Sequence, residues 1–536
     1  MSLSVKYIDA PVGAQEEAQA SANTTQPFGS APQITSGAAD VPYATLEPSS
    51  WSLDGSRKLF SSSSNNVGWW SKSRTGNNGR FSNPPVVYLS FQNHHTATGI
   101  TFTFWPSMNQ WCNEIEVTWY DDQSVITTVT AHPDSPSWVL ANAVEGFNKV
   151  EIKLLSTNIP GQFAKIQQVQ IGQVIVFLQD ELTRVSLLNE IDPSLCELTA
   201  DTLTIEIQEK KDRALIPQKN QTMYLLRDGE QIASQYITDS SRENQRFYTF
   251  SCQSAIGRLE DEFLGGVYSN ASVDTLLSTI LDGFAADWKP FSNQEVTGYL
   301  PVCTKREALQ QIAFAIGAVV TTQGDGTIRL VPLAENVEAE FTEGNIFSGA
   351  KVSREAQTAT VQVFSHKFTK STEIERLIED EEIDGSNVLY VFSSPHYDYS
   401  ISGGVIDDSG ENWVRITASG PVTLTGKTYV HSKSVRKIEN KYATAAEKGN
   451  VVSVENATLV HSGNVDTILT RLYNYNTSKN ILTQKVVVDG QKSGQKAKSI
   501  NPWGSFTVGY ITSMESEFTN TGHTANITIR GKEEKV

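Results

Sequence analysis

The chain has 536 residues, of which 43 are Lys or Arg and 60 are Asp or Glu, for a formal net charge of −17. That length exceeds what one hydrophobic core can organise and predicts three or four domains. The charge excludes tight binding to a phosphate backbone, which needs clustered cations to displace counterions; an acidic wall repels nucleic acid and suits a passage better than a clamp.

Hydrophobic residues make up 39% of the chain, with 36 Gly and 19 Pro, the profile of a β-rich protein with many turns. The cysteines Cys112, Cys196, Cys252 and Cys303 are far apart and form no CxxC pair. No disulfide framework or structural zinc is expected, and buried thiols kept reduced in a cytosol are the default. The start, MSLSVKYIDAPVG, lacks the basic-then-apolar order of a secretory signal. The longest apolar runs, IGQVIVFL and IAFAIGAVV, are too short to span a bilayer.

VKYI alternates like a strand able to join a sheet elsewhere, and residues 9–45 follow as Ala, Ser, Thr, Gln and Pro without period, an expected extended arm. From about Leu46 to Leu178, strand-like runs recur between turns: PPVVYLSF, GITFTFW, NEIEVTWY, QSVITTVTA, FNKVEIKLL and AKIQQVQIGQVIVF. No convincing helix separates them, which predicts an antiparallel sandwich or barrel. LTIEIQEK, TMYLLRDGEQIASQYIT and RFYTFSCQSAIGRL then read as strands, with a hairpin at RDGEQ.

After Asn270 the period changes. SVDTLLSTILDG reads as a helix capped by Ser272, with Leu276, Leu277, Ile280 and Leu281 on one face and Gly283 at its end. TKREALQQIAFAIG reads as a second, with Thr304 and Glu307 placed for a capping box. VVTTQGDGTIRLV closes this α+β unit as a hairpin. Residues 336–536 return to β character. STEIERLIEDEEIDG, at 371–385, is expected as an exposed loop or short helix, and NVDTILTRLYNYNTSKN as a helix with Ile468, Leu469, Leu472 and Tyr473 as its stripe. A closing hairpin spans SFTVGYITSMESEFTNTGHTANITIRG, whose Tyr-Ile-Thr echoes QYITDSSRENQRFYTFS from Gln235.

The stretch HHTATGITFTFWPSMNQWCNEIEVTWY tests whether conspicuous residues mean a site. His94 and His95 are adjacent, so on a strand they face opposite ways and cannot share one metal; turn histidines before a strand are the preferred reading. Phe102 and Phe104, and Val117 and Trp119, alternate with Thr as one buried face per strand. The loop GWWSKSRTGNNGRF is the better binding candidate. Trp69, Trp70, Arg74 and Arg80 combine ring faces with donors, the chemistry of sugar recognition; the preferred reading, however, puts one tryptophan in the sandwich core and leaves the polar residues merely solvated. HExxH, GxSxG, P-loop and GxGxxG motifs are missing, so no catalytic residue, metal or cofactor is assigned.

From about Glu181 the ordered pieces LTADTLTIEI, MYLLRDGEQIASQYI, GVYSNASVDTLLSTIL, TGYLPVCTKREALQQIAFAIGAVVTTQGDGTIRLV, ENATLVHSGNVDTILTRLYNYN and PWGSFTVGYITSMESEFT resemble the baseplate-hub family of phage tails and related injection machines. GWWSKS through NPPVVYLSF, HTATGITFTF, EIEVTWYDDQS and FNKVEIKLL resemble a discoidin-like, galactose-binding-type jelly roll. The resemblances imply a mainly β, multidomain chain: a jelly-roll sandwich plus two hub β-barrels with a small inserted α+β domain. The implied division is 1–45 strand and arm, 46–178 sandwich, 179–268 barrel 1, 269–335 α+β domain, and 336–536 barrel 2 with an inserted β subdomain around 371–455.

They further imply a homotrimer that joins a sixfold tail tube to a threefold spike or tip while its lumen passes DNA or tape-measure protein. The expected partners are the tube or distal tail protein, the tip protein and the tape measure, with a host-surface glycan as a further candidate. Sequence-specific nucleic-acid binding and membrane insertion are not expected. The implied location is the virion tail tip, assembled in the bacterial host cytoplasm. Two alternatives stand beside this one: a carbohydrate-binding host-recognition protein acting through the jelly roll, and a tail-associated peptidoglycan endopeptidase. The Tyr-Ile-Thr echo is where a barrel duplication should leave its trace.

Overall fold

Thirteen strands, the first starting at Leu3 and the last ending at Glu534, form one continuous sheet. The computed structural model describes residues 2–11, 13–48, 50–52, 54–59, 66–210, 215–244, 246–519 and 522–535. Asn65, before the tryptophan loop, and residues 520–521, at the expected tip of the last hairpin, lie outside them.

In chain order the sheet strands are β1 (Leu3–Asp9), β2 (Gln173–Leu178), β3 (Leu182–Glu190), β4 (Thr202–Gln208), β5 (Thr222–Arg227), β6 (Glu230–Arg242), β7 (Phe247–Gln253), β8 (Ala339–Phe341), β9 (Lys351–Arg354), β10 (Asn480–Val487), β11 (Lys496–Ile500), β12 (Phe506–Thr519) and β13 (Gly522–Glu534). Period-two alternation drives them. In β4, TLTIEIQ, Leu203, Ile205 and Ile207 are buried while the residues between them are not.

The first seven strands pair in the order β2-β1-β5-β6-β7-β4-β3. Strands β2 and β3 are the two ends of that order, yet the chain passes from Leu178 to Leu182 between them, a step of at most about 14 Å. The sheet therefore curls on itself, and one core holding Val5, Phe177, Leu187, Ile205, Leu225 and Phe250 fills it. We call this half barrel 1. The other six strands pair in the order β8-β11-β12-β13-β10-β9 around Phe341, Leu482, Val486, Ile511 and Ile527, forming barrel 2. Residues 342–350 return the chain from β8 to β9, and Ile346 bridges to Val486 on the way.

A β-sandwich interrupts the chain between β1 and β2. Its large sheet orders Gln19–Ala22, Val86–Thr103, Ser137–Ser156, Glu114–Asp121 and Ser124–Ala131, with Gln168–Ile171 beside Val86–Thr103. Trp69–Arg74 pairs with Phe163–Ile166 as a second sheet. The core between them includes Trp69, Phe102, Phe104, Trp119 and Phe147. The arm is not extended as expected: Ala14–Glu17 and Gln33–Ser36 are short helices, Gln19–Ala22 joins the large sheet, and Ile34 is fully buried. At the end of β1, Thr98 Oγ1 of the sandwich donates to Asp9 Oδ2 at 2.7 Å, and Gln221 Nε2 of barrel 1 donates to Asp9 Oδ1 at 3.2 Å. That buried carboxylate ties the two domains together, and its pKa is raised by burial.

The α+β unit lies between β7 and β8. Its helices Val273–Ile280 and Lys305–Ile316 share a core with the hairpin Ala318–Thr321 and Ile328–Pro332. Thr304 and Glu307 form the expected capping box, but the Ser272 side chain makes no cap bond. Between β9 and β10 come the long strands Thr360–Val391, His396–Ser409 and Trp413–Glu439, then the helix Val465–Asn476 with Ile468, Leu469 and Leu472 buried. The charged stretch 371–385 is strand rather than loop or helix. Ile378 and Ile383 enter a small core with Val414 and Leu424, while the carboxylates between them face water. No helix among the described residues is long and apolar enough to cross a membrane.

Candidate functional site

The tryptophan loop does not present an aromatic platform. Trp69 and Trp70 are adjacent on a strand and point to opposite faces, and both faces are covered. Trp69 enters the sandwich core, and its Nε1 donates to the Thr24 carbonyl at 2.9 Å. Trp70 packs with Val67, Trp105 and Met108 in a second cluster. Between the rings of Trp70 and Trp105 sits a buried cation: Lys165 Nζ lies 4.6 and 4.8 Å from their centroids and donates to Glu47 Oε1 at 2.7 Å and Gln110 Oε1 at 2.6 Å. Burial pulls the Lys165 pKa down to about 8 against the opposing pull of Glu47. The pair is 3% and 0% exposed, so removing one partner would strand a buried charge. Lys165, Glu47 and Gln110 come from three separated segments and carry no local sequence signal.

Arg74 and Arg80 do reach the surface, though apart. The Arg74 guanidinium lies 4.7 Å over the Phe163 ring, and Arg80 Nη2 donates to Glu114. Beside Arg74 a cleft of about 340 Å³ is lined by Asn23, Lys72, Ser82 and Asn83 among others. The structure thus separates the four candidates into two buried rings and two exposed cations.

His94 and His95 lie within the strand Val86–Thr103 rather than in a turn before it. His94 Nε2 is 2.9 Å from Asp121 Oδ1, and His95 Nε2, buried, is 3.2 Å from Glu17 Oε2. His94, Asp121 and Asp122 bring ligand-capable atoms within 4.8 Å of one another, all exposed. Asn148 Nδ2 already donates to Asp122 Oδ1 at 2.7 Å, so the group is a polar network at strand ends. Of the cysteines, Cys112 and Cys252 are buried as expected, whereas Cys196 is exposed and Cys303 half-buried.

A cavity of about 590 Å³ opens between the α+β hairpin and barrel 2; its lining holds Asp325, Arg329, Glu338 and Lys492 and no His or Cys. Asp325 clamps Arg329 through two bonds of 2.7 and 2.6 Å, which holds the carboxyl well below its usual range. A second cleft, about 400 Å³, contains His366, whose Nδ1 lies 2.9 Å from His431 Nε2. Burial, His431 and Lys433 together lower the His366 pKa to about 4.

The arrangement most able to do something beyond folding is the joint between the barrels, where the sequence echo lies. Residues 506–510 of β12 pair with β11 inside barrel 2, and residues 513–517 of the same strand pair with Ser186–Glu190 of β3 in barrel 1. Thr512 is the bulged residue at the crossing; its hydroxyl donates to the Thr528 carbonyl at 3.2 Å. In barrel 1, Thr238 is bulged at the same place in β6, and its hydroxyl donates to the Ser251 carbonyl at 2.9 Å. Ile237 and Ile511, beside them, are both buried.

The backbone repeats as well. Ile237 N–H donates to the Gln221 carbonyl at 2.9 Å and Ile511 N–H to that of Gln495 at 3.0 Å, while Asn220 and Gly494 donate back to the two isoleucine carbonyls at 2.7 and 2.8 Å. Asn220 (φ 70) and Gly494 (φ 87) share the left-handed conformation this return requires. The spacing from glutamine to isoleucine is sixteen residues in both halves. That spacing was the available signal for a device that Tyr-Ile-Thr alone did not reveal.

Extended from this point, the correspondence covers six strands in one chain order: β1, β3, β4, β5, β6 and β7 occupy the places of β8, β9, β10, β11, β12 and β13. The sheet order is the same in both, and of the five pairings only that of β8 with β11, which is parallel, differs in direction from its counterpart.

No protein-family model matches the sequence, and no curated protein matches it. Among solved structures, the chain is similar to the 43 kDa tail protein of prophage MuSo2 from Shewanella oneidensis, at 11% identity and a TM-score of 0.40 over 67% of this chain and 95% of that one. It is similar to the tail protein from Neisseria meningitidis MC58, at 12% identity and a TM-score of 0.39 over 66% and 93%. It is also similar to the family 32 CBM of C. perfringens NanJ, solved in complex with galactose, at 15% identity and a TM-score of 0.20 over 31% of this chain and 98% of that one.

Proposed function

We propose that the protein is a structural hub of a phage tail or tail-like particle, which joins a sixfold tube to a threefold tip by self-assembly and without a catalytic step. The observation that carries this reading is the duplicated barrel. A chain that holds two equivalent six-strand units, joined edge to edge, supplies six such units to a ring when three copies assemble. One end of the ring can then meet a sixfold partner through equivalent barrels, while the insertions, present once per chain, keep the other end threefold. The net charge of −17 suits a lumen that passes DNA or tape-measure protein without holding it. In this reading the partners are further copies of the chain, the tube or distal tail protein, the tip protein and the tape measure, and the place is the virion tail tip. A reconstruction of particles carrying the protein tests it: density for three copies around the tail axis is the expected result, and density off that axis defeats the reading.

A second reading, glycan recognition by the sandwich, is favoured by one observation, the polar cleft beside Arg74 lined by Asn23, Lys72 and Asn83. Because Trp69 and Trp70 are enclosed, recognition there would rest on hydrogen bonds rather than ring stacking. A glycan array probed with the full chain should give signals that Arg74→Ala abolishes; a blank array retires the idea.

A further inference from the structure

The cleft that contains His366 is basic, on a chain whose net charge is −17. It lies where the paired strands Gly266–Ser272 and Glu295–Leu300 of the α+β unit meet the ribbon of Thr360–Val391 and Trp413–Glu439, and it measures about 400 Å³. Residues 458–462, before the helix Val465–Asn476, supply His461 and Ser462 to its lining. Backbone bonds fasten these walls. Tyr299 N–H donates to the Thr458 carbonyl at 3.3 Å, and His366 N–H donates to the Val460 carbonyl at 2.7 Å. Gly298 (φ 140) permits the first contact, because a Cβ there would overlap the Thr458 carbonyl oxygen. The cleft is therefore preformed, and its volume falls in the range of about 300–1,000 Å³ usual for small-molecule sites.

Its chemistry suits an anion. Lys367, Lys433 and His461 line it, and no carboxylate does. Neither lysine forms an ion pair among the described residues. Lys433 stands opposite His366 on the ribbon, and burial, His431 and Lys433 together hold that ring neutral. His366 is 3% exposed; the Glu455 backbone approaches its ring, yet Nε2 makes no hydrogen bond among the described residues. In the tautomer in which His431 Nε2 donates to His366 Nδ1, His366 Nε2 carries the proton and is a buried donor without an acceptor. Tyr268 and Phe368 add ring faces to the same lining.

We propose that this cleft binds a phosphate monoester of a small organic group, its phosphoryl oxygens taking the donors of Lys367, Lys433 and His366 and its organic part lying against Tyr268 and Phe368. Two ammonium groups and a ring N–H exceed what the single charge and two oxygens of a carboxylate can satisfy, whereas a phosphate ester brings three acceptor oxygens and close to two charges. This goes beyond the hub reading and does not depend on it.

Isothermal titration of the full chain with inorganic phosphate, glucose 6-phosphate and adenosine monophosphate tests it. Both esters, or one of them, should bind more tightly than inorganic phosphate, and the tighter one identifies the organic group as sugar or nucleoside. Lys433→Gln should weaken ester binding roughly tenfold or more, the loss expected for one hydrogen bond to a charged group, and Lys433→Arg should retain most of it. Lys437→Gln, on the same strand but outside the lining, should leave it unchanged. Lys433 is exposed, so these variants should keep the fold, which an unchanged urea midpoint checks. Absence of ester binding, equal affinity for inorganic phosphate and both esters, or equal losses from Lys433→Gln and Lys437→Gln overturns the proposal. A polyglutamate peptide that binds where the esters do not would overturn it too, and would make the cleft a protein-docking site.

Discussion

Barrel 1 takes its first strand, β1, from Leu3–Asp9, pairs it antiparallel with β5, and adds β2 on its outer side; barrel 2 puts the three residues of β8 in the same place, parallel to β11, with no strand beyond it among the described residues. Inside, the two agree almost bond for bond around Ile237 and Ile511. A shared interior with different rims is what core packing dictates: register is fixed wherever one face is buried, and a one-residue slip would turn a strand's whole apolar set outward. The rim strands β1 and β8 also bury alternate residues, but their direction differs, antiparallel for β1 and parallel for β8. The insertions obey the same division. Residues 182–253 and 480–534 run without any inserted domain, whereas the sandwich, the α+β unit and the long β extension all enter beside rim strands β1, β2, β8 and β9. The barrel interiors are where the two halves repeat, and the rims are where they differ.

The sharpest way to break the comparison is at Gly509, where barrel 1 has Gln235. Gly509 lies directly opposite Gly531, and a Cβ at 509 would overlap the Arg530 carbonyl oxygen and the Gly531 Cα. Gly509→Val should therefore cost roughly 3 kcal/mol or more through overpacking, read as a lowered urea midpoint. Gln235→Ala removes a buried side chain whose Oε1 has no partner among the described residues, and should cost about 1 kcal/mol or less. Equal losses at the two positions would mean that the close approach of Gly509 to Gly531 is not what distinguishes the barrels at this strand.

Much of this plan was legible in the residues. The capping box at Thr304 and Glu307, the hairpin through Gly324–Asp325–Gly326 and the stripe of the helix Val465–Asn476 are local patterns, and local patterns survive folding. The failures have physical causes. At 371–385 the charges suggested a loop or helix, but a strand can hold them on its solvent side while Ile378 and Ile383 fill a core supplied by distant strands. At Trp70 the residues left a ring platform open beside the core reading, because Trp105, which covers the ring, and the ion pair beside it, Lys165 with Glu47, come from elsewhere in the chain. The barrel joint was half visible: Tyr-Ile-Thr repeats as letters, but Asn220 and Gly494 share only a backbone conformation, which no pattern of residue types displays.

A smaller effect is expected from acid at the joint. His523, on β13, sits 3.1 Å from Arg227 Nη1 at the end of β5 and stacks on Phe518 at 4.6 Å. Burial and the Arg227 charge lower its pKa to about 4. The folded state therefore prefers the neutral ring, while the unfolded ring titrates near pH 6.5. Stability from this group is complete above about pH 6.5 and is lost as pH falls toward 4. Because the ring is partly solvated, the loss should be on the order of 1 kcal/mol, and His523→Gln should remove that share of the pH dependence in thermal unfolding. The same window applies to His366. His366→Gln should flatten the curve further if the two act independently, because they lie in different domains.

The finest discrimination comes from the bulge threonines. Each hydroxyl bridges the gap that the extra residue opens in the ladder, Thr238 to Ser251 and Thr512 to Thr528. Valine keeps the shape and the β-branch and removes the donor, so Thr238→Val and Thr512→Val should each cost about 1 kcal/mol, and the double variant should lose the sum. Thr512 carries a second duty that Thr238 lacks within one chain: its carbonyl accepts from Ile191 N–H at 2.9 Å, at the end of the β3 pairing. Side-chain replacement leaves that backbone bond in place, so the two costs should match in the isolated chain. A clearly larger loss at Thr512 than at Thr238 would mean that the bulge hydroxyl also supports the pairing with β3.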